Sequence, residues 1–576
     1  MVVHSRTRFF LISALFVLGF LLFQRWQEDQ PKPLSKVSVL SKETNEVPMT
    51  PAMQAAGELP KIIPPENAQN PLPALSESGS TQITHSIPSS RLVEIKTDVL
   101  SLKVDRLGGD VMQADLPMFD SGQKGPHEDF RLLSYEGGRQ YVAQSGLISN
   151  LGPDSQQRGR ALFETKTALY QLQSNQDVLE VDFDADISSP SPLHVTKRFT
   201  FYRGKYHFDV AYIVNNPNDH AYQGTFYGRL KRTAPKEEKA GFLGVQTYTG
   251  AAVSTEKQPY KKVPFKEIES HKFAKLTEKG GWIAMIEHYF LSAFIPPQSA
   301  ENTYDTQMLT QNGLPAYGIQ FYSPLTVPPH GEALVEAKMY LGPLITEDLK
   351  GLAPGLDLTV DYGIFWPICK PIFWLLKQMD HLTGNWGVAI ILTTLIIKLL
   401  FYKLSASSYR SMGNMKRLQP KIQQLKEQHG DDRQSFGQAM MALYRKEKVN
   451  PLGGCLPILV QIPVFIALYY VLLGSIELRE APFFGWIHDL SAKDPYYILP
   501  VIMGLTMLLQ QRMNPAPPDP IQAKMMMFMP VIFTILFLQF PAGLVLYWVV
   551  NNLLSILQQW VISRKINDAS ISAKKK

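Results

Sequence analysis

Cysteine is nearly absent from this chain, which holds only Cys369 and Cys455 among its 576 residues. The topology inferred below puts these two residues at opposite membrane faces, so they cannot form a disulfide and a disulfide framework is excluded. Common catalytic motifs are missing too, since the sequence contains no G-x-x-x-x-G-K-[ST], H-E-x-x-H, C-x-x-C or G-x-S-x-G pattern. We therefore expect a protein that is not an enzyme and that uses no cofactor and no metal.

Long apolar runs are missing from the first half of the chain, with one exception near the start. Residues 9–23 are apolar and follow His4, Arg6 and Arg8, as in a secretory signal. No pair of small residues follows at cleavage spacing, so this pattern predicts an uncleaved signal-anchor helix over 1–27. Residues 28–90 are rich in Pro, Ser, Thr, Asn and Gln, which predicts a flexible tether.

Residues 91–345 follow a period of two. Apolar residues alternate with polar ones, as at Leu100, Leu102 and Val104, and turn signals such as Arg203-Gly204-Lys205 separate the runs. No long amphipathic helix interrupts this series. The pattern predicts a large all-β sandwich outside the membrane.

The second half has the long apolar runs that the first half lacks. Residues 346–384 combine a linker with a predicted interfacial amphipathic helix, in which Trp366 and Trp374 occupy positions typical of a membrane interface. Further apolar segments, each a candidate membrane helix, cover residues 386–404, 456–473, 496–509, 525–540 and 542–562. With the first anchor they make six transmembrane helices, so we expect a polytopic α-helical membrane protein.

The charges of the connecting segments predict its orientation. Between Lys403 and Lys448 there are ten Lys or Arg and four Asp or Glu, whereas residues 475–497 hold two and four. The basic segment is therefore expected in the cytoplasm, together with both termini. Within it, residues 405–450 have the spacing of a helical hairpin, in which Pro420 must kink the first arm or start a new helix. Residues 564–576 form a basic cytoplasmic tail.

Lys398 lies inside the apolar segment 386–404, where a charged side chain costs roughly 2.5–3.5 kcal/mol at bilayer depth. Thr394, Gln461, Asn551 and Asn552 are polar residues in this and other apolar segments, and with Lys398 they can line one hydrated groove. Two alternatives stay open. Lys398 can extend its amine to the headgroups, and amide side chains commonly serve as ordinary contacts between helices.

Several motifs of the chain resemble one family. They are Gly384-Asn385-Trp386-Gly387, 418–421, 450–457, Gln461-Ile462-Pro463, Trp486-Ile487-His488-Asp489-Leu490, 494–500, Phe528-Met529-Pro530, 540–544 and, in the strand-rich part, 280–285. With them the chain resembles the YidC membrane protein insertases, in particular Gram-negative members with a large periplasmic domain. The similarity covers most of the chain.

The resemblance implies a periplasmic β-supersandwich over 91–345 and a five-helix insertase core over 385–563 that encloses a hydrated groove. It implies that the protein inserts newly made proteins into the bacterial inner membrane and assists their folding, alone or with SecYEG and its accessory subunits. Further implied partners are membrane lipids and the ribosome, through the hairpin and the basic tail. The implied groove residues are Lys398, Thr394, Gln461, Tyr547, Trp548 and Asn551.

The sequence departs from the family pattern at two of these positions and at Lys403. Lys398 stands where many members have Arg, which keeps the charge and loses the planar guanidinium fork. Trp548 stands where Tyr is common. Lys403 stands where Pro is usual, which suggests a straighter end for the helix that carries it.

Two other functions are alternatives. One is a solute transporter with a periplasmic binding domain, a class that typically has repeated halves or paired broken helices, and the sequence shows no such repeat. A carbohydrate-binding or carbohydrate-modifying role of the β-domain rests on fold analogy alone. His288 beside Glu287 is not expected to form an acid–base pair, because adjacent strand residues point to opposite faces, and a structural role is expected instead.

Overall fold

The computed structural model describes residues 87–574 apart from 122–127, 137–139, 151, 156–158, 189–191, 235–247, 312–313, 430–431, 448, 450–455 and 515–519. At 311, 433, 456–459, 520–522 and 565–574 it describes only the backbone. The anchor predicted over 1–27, most of the predicted tether, Cys455 and the basic side chains of the tail after Arg564 lie outside the described residues. These features stay predictions.

A β-rich domain comes first, as the alternation of the sequence predicted. Strand β8 is typical, because every second residue from Leu193 to Phe201 is buried, among them Val195 and Phe199, while the alternate residues are not. The strands are β1 (Leu92–Lys96), β2 (Ser101–Asp105), β3 (Asp110–Asp120), β4 (Asp129–Leu133), β5 (Tyr141–Ile148), β6 (Leu169–Gln171), β7 (Val178–Ile187), β8 (Leu193–Tyr202), β9 (His207–Asn216), β10 (Tyr222–Thr233), β11 (Gly250–Ser254), β12 (Lys261–Val263), β13 (Leu276–Lys279), β14 (Trp282–Glu287), β15 (Phe290–Ile295), β16 (Glu301–Gln311), β17 (Leu314–Val327) and β18 (Gly331–Pro343).

These strands form two sheets. In the described part of the chain, one sheet has ten strands in the order β13-β16-β17-β10-β5-β3-β2-β1-β6 with β4 beside β3, and the other has eight in the order β12-β11-β14-β15-β18-β9-β8-β7. Pairing is antiparallel except between β1 and β6. Side chains of both sheets share one hydrophobic core, which includes Val104, Phe226, Phe199 and Phe294.

A group of buried charges lies within this domain. Arg160 donates two hydrogen bonds to Asp110, at 2.6 and 3.0 Å, and its Nε lies 3.4 Å from a carboxylate oxygen of Asp154. Lys197 is fully buried on the same face of β8 as the apolar Val195 and Phe199, and its Nζ donates to the carbonyl oxygens of Gly109 (2.7 Å) and Gly108 (3.0 Å). Buried charges of this kind are stable only while each has its partner.

A helical region follows, again as predicted. The helices are α1 (Phe265–Glu269) and α2 (Thr346–Lys350) within and just after the strands, then α3 (Trp366–Thr383), α4 (Trp386–Leu400), α5 (Tyr402–His429), α6 (Arg433–Lys446), α7 (Leu456–Gly474), α8 (Ile498–Met513), α9 (Pro520–Phe537) and α10 (Ala542–Lys574). Asn385 caps α4 by accepting a hydrogen bond from the Val388 amide, and Asp432 caps α6 in the same way. On α3 the side chains of Trp366 and Trp374 are exposed.

Membrane-spanning potential differs among these helices. Among the described residues, one helical stretch, Ala542–Arg564, is long and apolar enough to cross a membrane by itself. The bent pair α4 and α5 passes the same test together, and shorter apolar stretches cover Val460–Gly474, Ile498–Met513 and Ala523–Phe537. The count of six transmembrane helices is therefore not confirmed and stays a prediction.

The expectation of a straighter end near Lys403 is wrong. Helix α4 ends at Leu400, and α5 begins at Tyr402 with a bend of 69° between them. Proline is not needed there because packing against α10 holds the bend: Ala406 and Tyr409 of α5 contact Ile562. Pro420 does not start a new helix, since it lies within α5.

The segment between α7 and α8, residues 475–497, is called the bridging loop below. Its first turn contains Glu477, and burial raises the pKa of this carboxyl to about 6, with Lys377 opposing the shift. Because the folded pKa lies above the usual 4.5, protonation favours the folded loop; this contribution is complete below about pH 4.5 and is lost as pH rises through 6.

Glu477→Gln is therefore expected to stabilise the protein at pH 8, by about 1–2 kcal/mol, and to change little at pH 4.5. The measurement is the thermal unfolding midpoint of the detergent-purified variant and parent at both pH values. An equal difference at the two values would contradict the assignment of the effect to this carboxyl.

Candidate functional site

The site is built around one face of α10. Tyr547, Asn551 and Ser555 are spaced four residues apart, so they form one row along the helix that covers about 12 Å. All three are buried. Helix α10 packs against α4, α7 and α8, so this polar row lies inside the helical region.

Lys398 meets this row from α4. Its Nζ donates a hydrogen bond to Ser555 Oγ at 2.8 Å, and Ser555 Oγ donates in turn to the Asn551 carbonyl oxygen at 2.7 Å. Lys398 lies in the last turn of α4, and its side chain is directed towards α10 and partly buried. Among the described residues no carboxylate forms a salt bridge with Lys398. The ammonium thus has a neutral partner and an uncompensated charge.

Gln461 meets the row from α7. Its Nε2 donates to the hydroxyl of Tyr547, so these two predicted residues are in direct contact. Trp548, next along α10, packs edge-on against Phe465 of α7 with ring centroids 4.7 Å apart, and also against Phe537 of α9 at 5.3 Å. Trp548 therefore adds an aromatic wall beside the polar row.

Thr394 lies one turn before Lys398 and is buried, but its hydroxyl donates to the Ile390 carbonyl of its own helix at 2.7 Å. This hydrogen bond joins Thr394 to its own helix and to none of the other predicted residues. Four polar atoms of α4 and α10 are buried without a hydrogen-bond partner in the described structure: Thr393 Oγ1, Trp548 Nε1, Asn551 Oδ1 and Gln559 Oε1. Such atoms are costly in a dry interior and are normally satisfied by water or a ligand.

Sequence reasoning missed Ser555 and the contact between Asn552 and Thr506, where Asn552 Nδ2 donates to Thr506 Oγ1 at 3.1 Å. The four-residue spacing of Ser555 from Asn551 was the available signal. The structure joins Lys398 to Ser555 and Gln461 to Tyr547, two contacts that link α4 and α7 to a single face of α10.

Comparison with known proteins covers both parts of the chain. A family model described as the 60Kd inner membrane protein matches residues 378–569, and one described as the YidC periplasmic domain matches residues 92–375. The first match corresponds to the helical region and the second to the β-rich domain.

Individual relatives match over nearly the full length. The membrane protein insertase YidC of Pseudomonas fluorescens strain SBW25 is 46% identical over 571 residues, which cover 98% of this chain and 99% of that protein. The protein of the same name from Pseudomonas putida strain KT2440 gives the same values. A solved structure of an active YidC insertase with its first transmembrane domain resolved aligns with 82% of this chain and 92% of its own, at 19% identity and a TM-score of 0.37.

Proposed function

The chain belongs to the YidC family of membrane protein insertases, and on this premise we propose that Lys398 and the polar row of α10 form the groove that receives the client. As an insertase it acts on newly made membrane proteins and is not an enzyme.

The observation that supports the groove most strongly is the uncompensated charge of Lys398. Its ammonium is bound to Ser555, and no carboxylate of the described chain pairs with it. A cation that is partly buried within an apolar segment and has no counter-ion is normally selected against, because its desolvation is costly. A client segment with acidic or other polar side chains supplies the missing partner during its passage.

The remaining groove residues have complementary properties. Gln461, Tyr547 and Asn551 offer donors and acceptors that keep water or a polar client segment hydrogen-bonded, and Trp548 presents an apolar ring to the client's hydrophobic part. Thr394 lines the same helix face as Lys398. The groove thereby shortens the apolar distance that a polar flank must cross.

Transfer of apolar client side chains into lipid provides the driving force, aided by the membrane potential acting on acidic residues. No cofactor takes part. The client enters from the helical pair α5 and α6, whose arms pack through Leu418, Ile422 and Tyr444, and leaves sideways into lipid.

We propose the following topology and partners for the protein. It lies in the bacterial inner membrane with six spans, cytoplasmic termini and a periplasmic β-supersandwich over 91–345. Partners are SecYEG with its accessory subunits, membrane lipids, and the ribosome through the hairpin 405–450 and the basic tail 564–576. The basic segments of the chain support contacts with anionic lipid and with RNA.

The transporter alternative is not favoured, because the relatives that match the whole chain are insertases. A carbohydrate-directed activity of the β-domain has no support from the described site, which lies in the helical region.

Photo-cross-linking tests where the client passes. A photoreactive amino acid at Gln461 or Tyr547 is expected to cross-link a stalled nascent membrane protein, whereas one at Leu553 or Leu557 is not, because these residues lie on the exposed side of α10. Cross-links at Leu557 without cross-links at Tyr547 would move the client path to the outer face of the helix.

Reconstitution tests whether the chain works alone. The purified protein in liposomes without any translocase is expected to insert a small newly made membrane protein so that a loop becomes protected from protease. Failure of the folded protein to insert it would assign the chain an assembly role beside the translocase.

A further inference from the structure

The β-rich domain contacts the bridging loop through the turn between β14 and β15. His288 lies in this turn, and its Nε2 donates a hydrogen bond to the Leu473 carbonyl oxygen, at 2.6 Å, at the end of α7. The carbonyls of the last helical turn have no partner within the helix, so His288 caps α7 from another domain. The neighbouring Tyr289 interacts with Ser491, further along the bridging loop.

Arg479 of the bridging loop makes the second connection. Its Nη2 donates to the Asp120 carbonyl oxygen at 2.5 Å, and its guanidinium carbon lies 5.4 Å from the ring centre of Phe130 and 5.8 Å from that of Phe290. The two rings stack on each other, with centroids 3.9 Å apart. A cation over aromatic faces with a hydrogen bond to a fixed carbonyl is a directional attachment.

An apolar contact completes this attachment. Ile476, at the start of the bridging loop, is 3% exposed and belongs to the hydrophobic core of the β-rich domain. Three contacts thus hold the loop against the β-rich domain: the cap that His288 makes on α7, the guanidinium of Arg479 on the aromatic rings, and the buried side chain of Ile476.

The opposite side of the bridging loop contacts the first turns of the two other groove helices. The amide of Gly543 on α10 donates to the Leu490 carbonyl at 2.9 Å, and the amide of Ala542 donates to Ala492 at 2.7 Å. On α4, Phe483 lies against Gly387, where any larger side chain would collide with its ring. The loop therefore joins one end of α4, α7 and α10, the three helices that carry the six groove residues.

The groove residues of α4 and α7 lie far from the helix ends that the bridging loop contacts, so a small tilt at those ends displaces them. Lys398 lies twelve residues from the start of α4 and Gln461 thirteen from the end of α7, so both are about 18–20 Å from the joined ends. A tilt of about 5° at such an end moves the groove side chain by about 1.5 Å. That displacement is enough to break the contact between Gln461 and Tyr547 or between Lys398 and Ser555.

We propose that the β14–β15 turn and the contact of Arg479 with the Phe130 and Phe290 rings position the groove helices through the bridging loop. The β-rich domain thereby supports insertion by setting the groove's geometry. The expected effect on insertion rests on the proposed function, whereas the effect on the distance between the groove helices does not. Arg479 and His288 are positioning residues; neither contacts the client.

The test uses the full-length chain with Cys369→Ala and Cys455→Ala, so that introduced cysteines are the only thiols. Gln461→Cys and Tyr547→Cys are added, and the rate of disulfide formation in native membranes reports how often the two helix faces meet. Insertion of a small membrane protein is measured in parallel variants that keep Gln461 and Tyr547.

With Arg479→Ala we expect disulfide formation to slow at least threefold and insertion to fall about three- to tenfold. Arg131→Ala is the matched control, because Arg131 lies on β4 of the same domain, pairs with Asp115 and Glu136, and is half exposed. It is expected to change neither rate.

A second pair of variants covers the case in which Arg479→Ala does not accumulate. His288→Leu removes the donor to Leu473 and is expected to slow disulfide formation, whereas His288→Gln can still donate and is expected to keep most of it. Unchanged disulfide formation in Arg479→Ala, or in His288→Leu, overturns the inference whatever insertion does. Slower disulfide formation with normal insertion supports the positioning role and instead contradicts the proposed groove function.

Discussion

Lys398→Met is expected to lower the insertion of clients with acidic residues in their translocated segment by about tenfold or more. Two unit charges at about 4 Å attract by about 4 kcal/mol at an effective dielectric constant of 20, and tenfold corresponds to about 1.4 kcal/mol, so even a strongly screened interaction suffices. Methionine keeps an unbranched apolar stem of similar length, so the packing of α4 against α10 should survive.

Two comparisons make this result specific to the charge. Lys398→Arg keeps the cation and is expected to retain most of the activity, and clients without acidic residues are expected to insert nearly normally in Lys398→Met. Ser555→Ala removes the side chain to which Lys398 donates and should have a smaller effect, since the ammonium remains. The measurement is protease protection in liposomes, with the amount of reconstituted protein checked for each variant. Equal insertion of acidic and neutral clients by Lys398→Met would remove the charge from the mechanism.

Asp110→Asn is expected to destabilise the β-rich domain by about 3–5 kcal/mol, the usual cost of leaving a buried charge without its partner. Asp110 accepts two hydrogen bonds from Arg160 and one from Gln144 at 2.9 Å. Asparagine has nearly the same volume, so the loss comes from the missing charge rather than from a cavity. Arg160 and Lys197 would then share the single carboxylate of Asp154.

Amide hydrogen exchange of β3, β5 and β8 in the full-length protein measures this change, because it reports on the domain without requiring the whole chain to unfold in one step. Asp186→Asn is the control: Asp186 pairs with His194 on the surface, its side chain is 87% exposed, and its loss should stay within about 0.5 kcal/mol. Exchange that is as slow in Asp110→Asn as in the parent would show that the carboxylate is not needed to hold Arg160.

The β-rich domain and the helical region could both be predicted, because period-two alternation and long apolar runs are local properties of the chain. The unusual position of Lys398 was also visible, since a cation within an apolar segment stands out without any structure. Lys197 shows the limit of the same reasoning: its place in the alternation of β8 points it inward with Val195 and Phe199, yet only the carbonyls of Gly108 and Gly109 explain how it can stay there.

The bend at residue 401 was not expected from the sequence, for a related reason. The expectation considered the backbone preference of Lys403 alone, whereas the direction of α5 is decided by its packing against Ile562 of α10. Ser555 was missed because serine in a helix commonly bonds its own backbone, and nothing local distinguishes one that also accepts a hydrogen bond from a lysine on another helix.

By itself, then, the sequence determined the order of the two regions, the membrane character of the second and the membership of an insertase family, since composition, periodicity and motifs are all carried by neighbouring residues. Tertiary structure alone decided which polar residues meet, as with Lys398 and Ser555 or Gln461 and Tyr547. It alone also decided that His288 joins the β-rich domain to the end of α7 and that Arg479 joins it to the bridging loop. Such contacts link residues from 86 to more than 350 positions apart, and only the folded chain brings them within hydrogen-bonding distance.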